Sequence, residues 1–357
     1  MPRPDHRDDA IAKIGDLAAG AGIRRIHILA WRDLEDVEAG GSELHAANIA
    51  RLWAEAGLDV VQRTSYAQGQ PPRARRHGYE VIRRAGRYLV FPRAVGSELL
   101  GRHGQRDALV EIWNGMPFFS PLWARGPRVV LLHHVHAEMW KMVFGDESPM
   151  LATAGDLLER RVAPLAYRRS RIVTLSESSK AEIVEQMHLR PELVDVVAPG
   201  IDPVFTPGGT RSAQPSVLAV GRLMPVKRFD VLIRAAARAR AACPDLTLTI
   251  VGEGYERDAL AALVNDLDAG EWVSLHGRAS EAELVELYRS TWLVASASAR
   301  EGWGMTLTEA AACGTPCVAT DIAGHVDATG GGQSGLLVAT DEEAVGDALT
   351  RLLTDAP

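Results

Sequence analysis

The sequence predicts an α/β protein made of two doubly wound, parallel-sheet domains that face each other across a cleft. At 357 residues the chain exceeds the size at which a single hydrophobic core stops growing. Short β-rich runs alternate with helical patterns, which is the alternation that gives parallel sheets wrapped by helices. A Gly- and Pro-rich segment, 200–215, separates two such series and is predicted to be the linker. The predicted domains are therefore 1–199 and 216–357.

The N-terminal series opens with the strand RRIHILAW (24–31). A glycine turn follows, and apolar residues then recur from Ala46 at i, i+3, i+4 and i+7, which predicts an amphipathic helix. Further strands are predicted at LDVVQR, YLVF, ALVEIWN, RVVLLHH, RIVTLS and LVDVVA, with helices between several of them.

The C-terminal series begins with the strand SVLAVGRL and a helix from Phe229. It continues with LTLTIVGEG, a helix from Glu256, WVSLHG, the helix EAELVELYRS, TWLVASA, a helix from Met305 and TPCVATD. Ligands of open α/β sheets bind beyond the carboxyl ends of the strands. The residues at those ends are therefore the candidate site residues.

Composition restricts the class of protein. The chain has 46% apolar and 24% charged residues, as globular proteins do, and no apolar run reaches the roughly 18 residues of a membrane span. The N-terminal stretch MPRPDHRDDA is polar and acidic, unlike the basic and then apolar start of a signal peptide, so we expect a cytoplasmic protein. The three cysteines, Cys243, Cys313 and Cys317, are predicted to be small core residues, and no metal site is predicted.

Charge is distributed unevenly along the chain. Residues 1–200 carry 27 basic and 25 acidic side chains, and the remainder carries 12 and 21. Segment 73–106 alone holds nine arginines and two glutamates. This segment is predicted either to be a solvated basic face or to contact anionic lipid headgroups or an anionic acceptor, making the protein membrane-peripheral. No nucleic-acid partner is predicted, because the chain is acidic overall and contains no nucleic-acid-binding motif.

Two predicted strand ends in the N-terminal series carry candidate residues. Gly40 and Gly41 precede a helix, where an anion can approach backbone N–H groups, although two glycines also suit an ordinary turn. Another strand ends in His133, His134 and His136. Neighbours on an extended segment point to opposite faces, so one of His133 and His134 is expected to be buried and the other to donate to a substrate.

Two more strand ends lie in the C-terminal series. Arg222 and Lys227 follow a strand and precede a helix, so two cations and a helix N-terminus can converge on a diphosphate, although a pair of surface cations is the alternative. The stretch AREGWGMTLTEAAACGTP (299–316) places Glu301 and Glu309 on either side of a Gly-x-Gly turn. Because carboxylates accept hydrogen bonds from hydroxyls, a ligand that combines phosphates with sugar hydroxyls would satisfy all these groups. The Asp266-Leu267-Asp268 sequence follows a helical pattern and is predicted to be surface.

These segments together resemble retaining glycosyltransferase family four, which has the GT-B architecture of two Rossmann-like domains. Glu301 and Glu309 resemble its E-x7-E motif, and VGRLMPVKRFD resembles its G-R-L-x-x-x-K donor segment. AGGSELHAANIA is similar to its N-terminal glycine loop and PGIDPVF to its interdomain linker. SESSKAEI, LHGRASEAEL and EAAACGTPCVATD match in order, so the resemblance covers nearly the whole chain.

The resemblance implies transfer of a sugar from a nucleotide diphosphate sugar, with retained anomeric configuration and without a cofactor or metal. Carried over, Arg222 and Lys227 hold the diphosphate, Glu309 the ribose hydroxyls and Glu301 the donor sugar, while His134 contacts the sugar at the reacting face. Backbone groups at Gly40 and Gly41 and in the turn complete the donor site. The turn residues are Gly302, Trp303, Gly304, Met305 and Thr306.

The acceptor and the nucleotide base stay open at this point, with UDP and GDP both suitable. A lipid-linked acceptor or a cell-envelope glycan fits the arginine-rich segment. Two alternatives use the same architecture: a nucleotide-sugar epimerase or hydrolase, and a non-catalytic nucleotide-sugar binding protein. A dinucleotide-dependent dehydrogenase is not favoured, because AWRDLEDVEAGG lacks the G-x-G-x-x-G pattern after the first strand. Family members also generally continue beyond the equivalent of Pro357 into a helix that crosses back to the N-terminal domain.

Overall fold

The structure is a computed structural model that describes residues 6–37, 39–136 and 148–354. The chain divides into two compact units. Unit 1 comprises Met1–Leu175 and Lys180–Val197, and unit 2 comprises Ser176–Ser179 and Ala198–Pro357. The Gly- and Pro-rich segment 200–215 contains neither helix nor strand.

Unit 1 is built on an eight-stranded sheet with the order β3-β4-β2-β1-β5-β6-β7-β8. Its central strands are buried along almost their whole length, as expected for parallel strands covered on both faces. The strands are β1 (Arg25–Leu29), β2 (Asp59–Thr64), β3 (Arg73–Arg76), β4 (Tyr79–Arg83), β5 (Ala108–Trp113), β6 (Arg128–Leu132), β7 (Ile172–Thr174) and β8 (Val194–Val196).

The helices of unit 1 vary in length. A five-residue π-helix, Leu158–Val162, lies between two of them. The helices are α1 (His6–Gly20), α2 (Gly41–Glu55), α3 (Val90–Leu99), α4 (Ser120–Trp123), α5 (Pro149–Leu157), α6 (Ala163–Tyr167) and α7 (Glu177–Met187).

The arginine-rich segment contains two departures from the sequence prediction. Strands β3 and β4 form an antiparallel hairpin, which was not predicted, and its turn residues His77 and Gly78 both have positive φ. The predicted strand YLVF is wrong, because helix α3 begins at Val90. Pro92 lies in the first turn of this helix, where its missing N–H has no intrahelical partner to lose.

Unit 2 is built on a six-stranded, all-parallel sheet with the order β11-β10-β9-β12-β13-β14. This corresponds to the 3-2-1-4-5-6 order of a doubly wound nucleotide-binding sheet. The strands are β9 (Ser216–Val220), β10 (Thr247–Val251), β11 (Val273–Gly277), β12 (Leu293–Ser296), β13 (Cys317–Thr320) and β14 (Gly335–Val338).

Every strand and helix predicted for the C-terminal series is present in unit 2. The helices are α8 (Phe229–Ala239), α9 (Arg257–Asp266), α10 (Glu281–Ser290), α11 (Met305–Ala312), α12 (Ala323–Ala328) and α13 (Glu342–Thr354). The three cysteines are buried and unbridged, and Asp266 and Asp268 are exposed, as predicted. Two parallel-sheet, doubly wound units confirm the predicted fold class.

Candidate functional site

The candidate site of unit 2 lies where its strand order reverses, between β9 and β12. The chain leaves β9 on one side of this point and β12 on the other, so the loops that follow these two strands are neighbours. Arg222 and Lys227 lie in the first loop, and Glu301 lies in the second. A backbone hydrogen bond of 2.8 Å from the Ala299 amide to the Val226 carbonyl joins the loops.

The side chains of Lys227 and Glu301 contact each other directly. Lys227 Nζ lies 2.5 Å from Glu301 Oε1, and only about a fifth of each side chain is exposed. Ser298 Oγ donates to the same carboxylate oxygen at 2.8 Å. The structure thus joins two residues that were predicted separately from the sequence, and it adds Ser298, which no motif identifies.

The charge of Glu301 is set by its neighbours. Burial pushes the pKa of Glu301 upward, but the Lys227 ammonium, the His325 ring and the Ser298 hydrogen bond together hold it below the usual range. His325 is almost fully buried, and burial lowers its own pKa. Its Nε2 lies 3.2 Å from Ser296 Oγ, and its Nδ1 lies 2.9 Å from the Thr320 carbonyl oxygen. Glu301 is therefore an anion at neutral pH, held in a polar network.

The turn between the two glutamates brings backbone close to a helix N-terminus. Gly304 is the N-cap of α11, and no side chain caps that helix. The first turn of α11, with Met305 and Thr306, thus presents backbone N–H groups and the positive end of the helix dipole. A Cβ at Gly324 of α12 would lie 2.3 Å from the Glu301 carbonyl oxygen and 2.7 Å from that of Trp303. The turn thus needs glycine at position 324, which the sequence analysis did not identify.

Glu309 is buried on the face of α11 that packs against α10. Tyr288 Oη donates a hydrogen bond of 2.8 Å to Glu309 Oε2. Burial raises the pKa of Glu309 to about 7, although the Tyr288 hydrogen bond acts in the opposite direction. Glu309 as a residue is only 6% exposed.

Arg222 lies at the carboxyl end of β9 and is half-buried. Its loop packs on the loop after β10, where Leu223 N donates to the Glu253 carbonyl at 2.9 Å. A Cβ at Gly252 would lie 1.9 Å from the Gly221 carbonyl oxygen, so glycine permits this approach. The backbone before Arg222 is therefore fixed by its neighbours.

The candidate residues of unit 1 lie at the corresponding reversal of its sheet, between β1 and β5. Gly40 is the N-cap of α2, which begins at Gly41. Glu43 Oε2 accepts hydrogen bonds from Gly40 N at 2.9 Å and from Ser42 Oγ at 2.9 Å. Asn114 Nδ2, at the end of β5, donates to Ser42 Oγ at 2.9 Å. The Glu43 carboxylate therefore lies at the N-terminus of α2, where the sequence predicted that an anion could bind.

The three histidines after β6 have different surroundings. His133 is buried, and its Nε2 lies 2.9 Å from His45 Nδ1. Burial, with its histidine neighbours, lowers the pKa of His133 well below the usual value. His136 is also buried, whereas His134 is partly exposed and stacks on it with ring centroids 4.2 Å apart. His134 is thus the most accessible of the three, and its role stays a prediction.

Sequence reasoning missed a buried polar group around His136. Its Nε2 lies 2.7 Å from Asn114 Oδ1. Glu159, fully buried in the π-helix, accepts from the His136 backbone amide at 3.0 Å and lies 3.2 Å from its Nδ1. Single-turn π-helices are frequent at functional sites. No periodicity or motif in the sequence identifies Glu159 or Asn114.

Within 6–37, 39–136 and 148–354, no three His, Cys, Asp or Glu side chains are arranged to hold a metal ion. No helix in these ranges has the length and apolar character of a membrane span.

Two protein families match consecutive parts of the chain. Residues 39–205 match "Glycosyltransferase Family 4", and residues 204–357 match "Glycosyl transferases group 1". The doubly wound units and these matches define the class of protein: the two models together span residues 39–357, and both describe glycosyltransferase families. The chain belongs to glycosyltransferase family 4, with the GT-B fold.

Individual proteins agree with this assignment. The chain is 34% identical over 218 residues to the D-inositol 3-phosphate glycosyltransferase of Gordonia bronchialis, covering 54% of the chain and 47% of that protein. It is 29% identical over 343 residues to the enzyme of the same name from Thermobispora bispora, covering 84% and 78%. The chain thus spans about half the length of the Gordonia relative and 78% of the length of the Thermobispora relative. A structure of Anabaena HepE with UDP and glucose superimposes with a TM-score of 0.69 at 20% identity, covering 92% and 90%.

Proposed function

We propose that the protein is a retaining glycosyltransferase that moves a sugar from a UDP- or GDP-sugar to an acceptor hydroxyl. The observation that carries the proposal is the contact of Lys227 with Glu301 at the β9–β12 reversal. There a cation and a helix N-terminus suited to phosphate lie beside a carboxylate suited to sugar hydroxyls. The UDP and glucose bound by the HepE structure support this donor class.

In the proposed reaction, the departing diphosphate gains negative charge as the sugar becomes electron-poor. Fixed cations and backbone N–H groups at the phosphates therefore lower the barrier. Arg222, Lys227 and the turn after Gly302 have this role. An ammonium has three donors, so Lys227 can keep Glu301 as one partner and bind a phosphate oxygen with another. Glu301 then orients the sugar, and no metal takes part.

The remaining roles follow the family resemblance. Glu309 binds the ribose hydroxyls, and His134 contacts the sugar at its reacting face. Gly41 contributes its backbone N–H from the N-terminal domain, 1–199, and Gly40, whose own N–H donates to Glu43, forms the turn before it. The N-terminal domain also binds the acceptor and determines which acceptor is used.

We propose that the acceptor is anionic. The names of the relatives suggest a phosphorylated polyol, of which inositol 3-phosphate is the first to assay. The lipid-linked or cell-envelope acceptor that the arginine-rich segment suggested is the second. Incubation of the enzyme with labelled donor and each acceptor class separates the two by the product formed.

The arginines of segment 73–106 differ in their surroundings. Arg76 and Arg83 pair with the buried Asp33, and Arg106 pairs with the buried Glu98, so these arginines stabilise unit 1. The other six arginines of the segment are exposed, and three of them form a group with four exposed apolar side chains on and beside α3. Its members are Arg84, Arg93, Arg102, Tyr88, Leu89, Leu99 and Leu100.

We propose that this group, the α3 surface, contacts anionic lipid. Basic residues add attraction to anionic headgroups, and exposed apolar side chains insert at the interface. Vesicles with 30–40% anionic lipid should co-sediment the protein at low salt and release it at high salt. The variant Arg84→Glu/Arg93→Glu should bind less, whereas Arg234→Glu, an exposed position on α8, should not change binding. No binding of the wild type to anionic vesicles at low salt would remove this proposal.

A thermal-shift panel of UDP, GDP, ADP and their sugars tests the donor proposal. A ligand at a hundred times its dissociation constant stabilises the protein by about 2.7 kcal/mol, a readable shift. Lys227→Ala should remove most of the nucleotide response, and the matched control Arg234→Ala should keep it. Glu301→Ala should keep nucleotide binding but abolish transfer. Loss of both functions in Glu301→Ala would contradict the division of roles.

Product analysis separates the alternatives that share the architecture. Release of free or altered sugar without acceptor would favour a hydrolase or epimerase. Nucleotide-sugar binding without turnover by any acceptor class would favour a binding protein.

A further inference from the structure

The hydrogen bond between Tyr288 and Glu309 is the feature from which we infer more. Tyr288 is fully buried on α10, and its hydroxyl donates to Glu309 Oε2 across the contact with α11. Burial and the neighbouring carboxylate raise the pKa of Tyr288 well above its usual value, so the phenol keeps its proton. The hydroxyl is therefore a permanent donor toward Glu309.

The position of Tyr288 is fixed by contacts on its other sides. Thr315 Oγ1 donates to the Tyr288 carbonyl at 2.6 Å, and Arg211 in turn donates to Thr315 Oγ1 at 2.7 Å. The ring of Phe205 meets the Tyr288 ring edge-on with centroids 5.9 Å apart. The hydroxyl thus has little freedom to leave Glu309.

The two oxygens of Glu309 are not equivalent. Oε2 accepts the Tyr288 hydrogen bond, whereas no donor to Oε1 occurs among the residues that the structure describes. One oxygen is thus held by the protein, while the other has no hydrogen-bond donor among the described residues.

We propose that Tyr288 is a positioning residue, which holds Glu309 by Oε2 and presents Oε1 as an anionic acceptor to the ribose hydroxyls of the donor nucleotide. This inference rests on the proposed function. It adds a residue that confers preference for ribonucleotides over 2′-deoxyribonucleotides, because a fixed, charged oxygen benefits from a hydroxyl that the deoxy compound lacks.

The charges around Glu309 make this role dependent on pH. Burial and Glu281, at the start of α10, favour the neutral acid, and Tyr288 favours the anion. Cys313, one turn further along α11, is buried and its pKa is raised, so it adds no charge at neutral pH. Without the Tyr288 hydroxyl, Glu309 should thus hold its proton to higher pH.

Calorimetric titration of Tyr288→Phe with UDP, GDP and their 2′-deoxy analogues tests the inference. At pH 7 we expect the dissociation constant of the ribonucleotide to rise about tenfold and that of the deoxy analogue to change less than about twofold. The affinity of the variant for the ribonucleotide should recover by about pH 9, where Glu309 ionises without the Tyr288 hydrogen bond. Tyr167→Phe is the matched control, because Tyr167 donates to the buried Glu111 at 2.6 Å in unit 1 and should affect stability but not this preference.

The outcomes separate the inference from the proposed function. If the wild type binds neither UDP nor GDP, the proposed function fails. If it binds and Tyr288→Phe keeps its affinity, preference and pH profile, the inference alone is overturned. Glu309→Gln serves if Tyr288→Phe does not fold, as circular dichroism would reveal. Its ribonucleotide binding should lose its pH dependence between pH 6 and 9, and an unchanged dependence would likewise overturn the inference.

Discussion

Lys227 and Glu301 form an ion pair in which four-fifths of each side chain is shielded from solvent. They come from different loops, 74 residues apart, and meet because β9 and β12 are neighbours in the sheet. The pair therefore couples the conformations of the two loops as well as their charges.

Removal of one member should cost more than removal of both. Lys227→Met leaves the largely buried Glu301 carboxylate without its cation. This change should lower the free energy of unfolding by on the order of 1–3 kcal/mol at pH 7. The double variant Lys227→Met/Glu301→Gln should recover much of that loss. The lowered pKa of Glu301 means that the stabilisation is present above its unfolded value of 4.5 and is lost as the pH falls below it. Urea denaturation at pH 7 and pH 4 measures both effects, and additive costs would contradict the coupling.

Glu309 should make the protein less stable as the pH rises. Its folded pKa of about 7 exceeds the usual 4.5, so the folded state binds more protons between these values and stability falls across that window. Glu309→Gln should remove this decline and be more stable than the wild type by about 3 kcal/mol at pH 8, with little difference at pH 4. Melting temperatures between pH 4 and 8 provide the measurement. A parallel decline in the variant would show that other groups cause it.

Gly324→Ala should disturb the turn that carries Glu301. The added Cβ would lie 2.3 Å from the Glu301 carbonyl oxygen, so either α12 or the turn must move. We expect a loss of about 1–3 kcal/mol in stability and reduced transfer activity. Gly96→Ala on α3 is the control, because nothing lies within 4 Å of its Cβ and alanine should stabilise that helix by about 0.5–1 kcal/mol. Equal stability of the two variants would contradict the packing argument.

The contact between the partly buried His45 and the buried His133 should make unit 1 sensitive to acid. Burial lowers the pKa of both rings, so below about pH 6.5 the unfolded chain binds more protons and stability falls with the pH. Two such histidines give a slope of up to about 2.7 kcal/mol per pH unit. The variant His45→Gln/His133→Gln should have a flatter profile between pH 5.5 and 7.5. Chemical denaturation followed by tryptophan fluorescence would detect the difference, and an identical slope would exclude the pair as its source.

The sequence predicted the architecture well because its signals are local. Apolar runs, turn glycines and helix starts such as Met305 can be recognised from neighbouring residues alone, without knowing which strands pair. The strand YLVF was wrong for the same reason, since Tyr88 and Leu89 have the composition of a strand but are exposed before a helix. Exposure depends on tertiary contacts that composition does not record.

The candidate site was predictable where residues follow strand ends. Lys227, Glu301 and Glu309 were found in this way, and their roles stay predictions. Their partners were not predictable, because Tyr288 and His325 lie on helices and meet the site only after the sheet order is fixed. The same holds for Glu159, whose contact with His136 spans 23 residues through a π-helix.

Strand β3 has one more consequence for the molecule. It forms the outer edge of the eight-stranded sheet, and three of its four residues are arginines. An unpaired edge offers N–H and C=O groups to any passing strand, and like charges repel a second copy of the same segment. The hairpin thus ends the sheet with a positively charged edge strand that disfavours self-association. Neutralising Arg73 and Arg75 should therefore make concentrated protein aggregate sooner, before any change in catalysis.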